Sequence, residues 1–66
     1  MKHFSPKAFQ ALRRSAGYTQ KSLAEAIGTT ERHIQFWEHG EHLPTADYLL
    51  RAMVLLHCTA DELLTD

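Results

Sequence analysis

The stretch TQKSLAEAIGTTERHIQFWEHG, Thr19–Gly40, decides the architecture. It holds two short apolar patterns separated by a glycine. Thr19 is a helix N-cap type, and Leu23, Ala24 and Ile27 follow it at helical spacing. Gly28 ends that pattern. Thr30 caps the next helix, Ile34 and Trp37 recur on it at i, i+3, and Gly40 stops it. The second helix begins about three residues after the first ends, a turn tight enough to force a steep crossing. Gly28 can take the left-handed conformation that a Cβ resists. Ala24 is small and faces the crossing, so the helices can approach closely. Leu23, Ile27, Ile34 and Trp37 are the expected shared core. These features predict a helix-turn-helix over about residues 20–37.

The flanks carry the same punctuation. Ser5-Pro6 starts a helix with Phe9 and Leu12 on its apolar stripe, and Gly17 stops it. Pro44-Thr45 opens a fourth helix through about His57. Thr59 opens a fifth, with Glu62 at capping-box spacing. No alternating apolar–polar run reads as a strand, and there is no internal repeat. The expectation is one all-α domain over residues 1–66, a compact five-helix bundle. With 66 residues the chain buries only about 60% of its unfolded surface. Its 44% apolar content supplies one core.

Composition narrows the function classes. The single cysteine, Cys58, allows no internal disulfide and fits a reducing cytoplasm. No segment approaches the roughly 18 apolar residues of a membrane span, and the start has no apolar run that reads as a signal peptide. Cytoplasmic placement, at the nucleoid, is the expectation. Net charge is −1, which argues weakly against a nucleic-acid binder, but the charges are segregated. Residues 1–39 carry six basic side chains against three acidic; residues 40–66 carry one against five. One half can face phosphate while the other faces water or a partner. Ordinary scatter of surface charge gives the same counts.

Gln20, Leu23, Ala24, Ile27-Gly28, Thr30, Ile34, Trp37-Glu38 and Gly40 together resemble the Cro/C1-type helix-turn-helix family, which includes phage repressors and xenobiotic-response-element-type regulators. Pro44, Leu49, Leu50 and Leu63-Leu64 extend the resemblance from about Phe9 to Leu64. It implies a lambda-repressor-like five-helix bundle with the third helix in the major groove of double-stranded DNA. The implied role is a transcription regulator, with repression the first expectation. Gln20 matches a family glutamine that contacts the DNA backbone and supports the reading helix. Thr30 to Phe36 match the reading surface. Arg13 and Glu38 match a structural salt bridge between helices one and three.

Recognition of DNA divides into positioning and reading. Helix amino ends offer free N–H groups to phosphate, and Gln20, Lys21 and Thr30 lie there. His39 and His42 follow the reading helix; near phosphate their charged forms are favoured, and as solvated loop residues they would do nothing. Arg32 is the foremost base reader, because Arg on guanine O6 and N7 is the commonest specific contact. Gln35 can pair with adenine. Glu31 can accept from a cytosine amino group or simply complement the helix dipole. His33 reaches a base or a phosphate, or stays exposed. Phe36 and Trp37 cannot both face inward. Trp37 shares the Ile34 stripe, which leaves Phe36 for a thymine methyl, a partner, or the helix flank.

Helix four departs from the family. Leu49, Leu50, Met53, Val54, Leu55 and Leu56 leave almost no polar face, which signals burial on more than one side. It reads either as a fuller core or as a partner surface centred on Val54 and Leu55. Helix five has Ala60 and Glu62 where relatives often use apolar residues to dimerise. A unit this small reads about half an operator, so a homodimer on DNA is expected, with half-sites about one helical turn apart. An antitoxin-like protein-interaction module on the same fold is the rival. Enzymatic activity, a cofactor and a metal are not expected. His57 and Cys58 point about 100° apart on a helix, and His33, His39 and His42 fit no metal spacing.

Overall fold

The computed structural model describes residues 2–65. In chain order the elements are β1 (His3–Phe4), α1 (Pro6–Ser15), α2 (Gln20–Ile27), α3 (Glu31–His39), α4 (Ala46–Leu56), α5 (Ala60–Leu63) and β2 (Leu64–Thr65). Each of the first three helices is set by a side-chain cap. Ser5 Oγ accepts from the Ala8 N–H, and Pro6 occupies the first helical position, where its missing N–H costs nothing. Thr19 and Ser22 exchange side-chain and backbone bonds at 2.9 and 3.0 Å, and Thr30 Oγ1 accepts from His33 N–H. On α5 the Glu62 carboxylate accepts from the Thr59 N–H at 3.1 Å and from its hydroxyl at 3.3 Å, one half of the expected box, while Glu62 N–H donates to Thr59 C=O. The five helices stand as expected, except that α4 ends at Leu56. His57 follows with φ +52, a left-handed residue that terminates the helix.

The strand pair corrects the expectation of no strand. β1 and β2 run antiparallel, His3 opposite Thr65 and Phe4 opposite Leu64, and Ser5 N–H donates to Leu63 C=O at 2.8 Å. Two residues a side are too short for an alternation pattern to register. The pairing forms because α1 and α5 are docked on each other and the segments beside them meet.

Phe9, Leu23, Ile34 and Leu63 are fully buried at the centre, with Ala24, Ile27, Trp37, Ala52 and Leu56 around them. The core thus takes its residues from all five helices. Trp37 is its broad plate: Phe9 meets it edge-on at 6.0 Å and Tyr48 lies 5.7 Å away. Burying one such large side chain contributes about 1.5–3 kcal/mol, so a few contacts decide whether so small a domain folds.

The α2–α3 junction has the expected left-handed glycine and buried alanine. Gly28 sits at φ +92, its N–H and that of Thr29 both donating to Ala24 C=O at 2.9 Å. Ala24 is buried at the crossing. Arg51 of α4 adds a support that local pattern does not disclose: its Nη1 donates to Ile27 C=O at 3.1 Å, satisfying a carbonyl at the end of α2. Helix four is not buried on every side. Leu49, Met53 and Leu55 pack on the core, while Leu50 and Val54 are 59% and 73% exposed.

Candidate nucleic-acid interface

The α3 helix presents two unlike faces. Inward go Ile34, Trp37 and Glu38; Glu31, Arg32 and His33 are exposed, and Gln35 and Phe36 are half-buried along the flank. Bundle packing fixes the inner face, so the outer residues ride on a firm support.

Glu38 is the main tie. Arg13 Nε lies 2.5 Å from Glu38 Oε2, and Arg13 Nη2 donates to Oε1 at 3.1 Å. Arg13 Nη1 also donates to Tyr18 C=O at 2.8 Å, pinning the chain that leads into α2. Gln10 and Gln20 each donate through Nε2 to Glu38 Oε1 at 3.1 Å. One carboxylate therefore joins α1, α2 and α3. Burial pushes the Glu38 carboxyl up, but hydrogen bonds from Arg13 and Gln20, the Arg13 charge and the Gln10 bond outweigh it, and the pKa lies below its ordinary value.

Gln20 is thus anchored to Glu38 at the start of α2. Its amide nitrogen carries two hydrogens, so one N–H is left beside that bond. Gln20, Lys21 and Glu31 line one open groove together with Arg14, Gly17, Tyr18 and Thr19. Arg14 belongs to this groove although no sequence motif singles it out; Arg13 and Arg14 point about 100° apart, Arg13 into the bundle and Arg14 to the outside. Thr30 is exposed, with its hydroxyl occupied in capping.

A second groove, about 310 Å³, lies between α3 and the chain entering α4 and is lined by His33, Phe36, Trp37, His42, Leu43, Thr45 and Tyr48. His33 Nδ1 is 2.6 Å from Thr29 Oγ1, and its ring stacks on Trp37 at 6.4 Å. His42 packs against the Phe36 ring at 4.8 Å. His39 is exposed at the end of α3, apart from both grooves. Of the expected contacts, Arg32 and Phe36 touch one another, the Arg32 guanidinium lying 5.3 Å from the ring centroid.

Cys58 is half-buried, and burial followed by the Glu62 carboxylate pushes its thiol up. That is the reverse of what a nucleophilic cysteine needs. Among the described residues no group of three metal-ligating side chains converges, and no helix is long and apolar enough to cross a membrane.

A helix-turn-helix family profile matches residues 9–63. The chain belongs to the Cro/C1-type helix-turn-helix family. It is 35% identical over 57 residues to the uncharacterized HTH-type transcriptional regulator YazB of Bacillus subtilis strain 168, covering 86% of this chain and 83% of YazB. Among solved structures it is similar to the P22 c2 repressor in complex with a synthetic operator, with TM-score 0.84, 26% identity and 92% of each chain covered. It is also similar to the restriction-modification controller protein C.AhdI of Aeromonas hydrophila, with TM-score 0.79, 22% identity and 88% of each chain covered. That second likeness concerns the fold alone.

Proposed function

We propose that this chain is a sequence-specific double-stranded DNA-binding protein that regulates transcription, acting as a repressor in the cytoplasm at the nucleoid. One observation carries the reading: Arg32 is exposed on α3, a helix whose opposite face is locked by Ile34, Trp37 and Glu38. An exposed arginine in the first turn of a firmly held helix, two residues after its capping Thr30, suits a guanine edge in the major groove. Gln35 and Glu31 would read beside it. Gln20, Lys21, Thr30, His33, His39 and His42 would meet phosphates. The P22 c2 repressor, similar over nearly the whole chain, is a protein seen on a synthetic operator, which supports the same use of α3 here. Two copies would bind as a homodimer on half-sites about one helical turn apart.

Titration with a random-sequence duplex at two salt concentrations tests this. DNA binding requires affinity that falls steeply as salt rises, because phosphate contacts release counterions. Affinity absent at low salt, or indifferent to salt, overturns the proposal.

A second reading follows from α4. Leu50 and Val54 stand exposed beside each other on consecutive turns, and side chains of that kind suit a protein partner or a second copy. Leu55 is packed on the core instead, so the surface centres on Val54 and Leu50. An antitoxin-like module would use this face and show no salt-dependent DNA binding.

A further inference from the structure

Arg32 and Phe36 lie one turn apart on α3, on the same face. The guanidinium carbon of Arg32 sits 5.3 Å from the Phe36 ring centroid, within reach of the ring's negative face. The ring is itself held. His42 meets it at 4.8 Å with the planes 76° apart. The turn that brings His42 there is fixed by the N–H groups of Glu41 and His42, which donate to Phe36 C=O at 2.9 and 3.4 Å. Phe36 is half-buried, whereas Arg32 is exposed.

We infer that Phe36 is a positioning residue rather than a base reader: backed by His42, it holds the Arg32 guanidinium ready for a guanine edge and so helps set specificity. The inference rests on the DNA-binding reading above. An exposed arginine samples many rotamers, and each bond to a base must fix them. Resting on a ring on its own helix restricts that search before DNA arrives, and bidentate pairing to O6 and N7 rewards a fork already oriented. Arg32 lies over the ring and His42 meets it edge-on, so the ring is already engaged by side chains of its own chain. The cluster therefore assigns the Phe36 ring to Arg32.

The test begins with selection from duplexes carrying a randomised core, using the unaltered chain. Affinities for the selected duplex and its single-base-pair variants are then measured for Arg32→Ala, Phe36→Leu and Phe36→Tyr, with thermal unfolding as the folding control. Arg32→Ala is expected to abolish preference at one base pair. Phe36→Leu is expected to weaken preference at that same pair by about two- to fivefold, with the salt slope unchanged. Phe36→Tyr, which keeps the ring, is expected to retain it. The inference is overturned if Phe36→Leu leaves that preference intact, if it alters a different base pair, if leucine and tyrosine behave alike, or if Arg32→Ala changes no preference. Should Phe36→Leu fail to fold, His42→Ala removes the backing while leaving the ring, and must weaken the same preference. Absence of salt-dependent binding by the unaltered chain defeats the DNA-binding reading itself and takes this inference with it; a binding chain with an indifferent Phe36 defeats the inference alone.

Discussion

Arg13 and Glu38 face each other inside the bundle, one on α1 and one on α3, their Nε and Oε2 atoms 2.5 Å apart and both residues buried. A charge pair taken out of water is stable only while both members remain. Arg13→Met, which leaves Glu38 without its cation, is expected to destabilise the fold by about 3–5 kcal/mol, read by urea unfolding. Arg13→Met with Glu38→Leu is expected to cost less than the two single changes summed. Strict additivity would show that the two groups do not act as a pair.

The same carboxylate makes stability depend on pH. Its folded pKa lies below the ordinary value, so between the two values the unfolded chain binds the proton more readily and stability rises with pH. Its contribution is complete above the ordinary carboxyl value, about 4.5, and is lost as pH falls through the depressed folded value. Urea midpoints measured down through that window should fall more steeply for the unaltered chain than for Glu38→Gln. Parallel curves would remove Glu38 from the account.

Gly28 holds φ +92 at the end of α2, and a Cβ built there meets only Arg51 Nη1, at 3.6 Å. Space is therefore adequate, and the cost of Gly28→Ala comes from the left-handed backbone, about 1–2 kcal/mol. In a domain of this size that lowers Tm by roughly 4–8 °C per kcal/mol. Gly28→Asn is expected to lose less, since asparagine enters this region more readily. Equal losses would point to crowding at Arg51 instead.

On the proposed function, Lys21 and Arg32 are expected to separate positioning from reading. Lys21, exposed in the first turn of α2, is expected to serve a phosphate. Lys21→Ala should weaken binding to all duplexes about equally and reduce the salt slope by about 1. A change in base preference with the slope intact would assign Lys21 to a base.

The helix-turn-helix was legible because its signals are local. Thr19, Gly28, Thr30 and Gly40 each act within a turn of themselves, and the Ile34–Trp37 stripe settles which neighbour faces in. What escaped depends on distant chain. The strand pair joins residues from opposite ends of the sequence. Arg51 reaches Ile27 from another helix. An apolar α4 does not tell which of its residues the bundle has room to cover, and Leu50 and Val54 are the ones left outside. In the candidate site the types of residue were readable, but their pairings were not: that Gln20 bonds Glu38, and that Arg32 lies on Phe36, are matters of side-chain placement.

The pairing of His3 with Thr65 and Phe4 with Leu64 places the two ends of the described chain side by side. A short peptide joining Thr65 to His3 would close this stretch of chain into a ring. Such a ring starts from a less extended denatured state, so it should melt at a higher temperature than the linear form. New ends opened after the exposed Leu43, beyond the Glu41 and His42 N–H groups that bond Phe36 C=O, should then be tolerated, giving a permuted molecule with the same bundle.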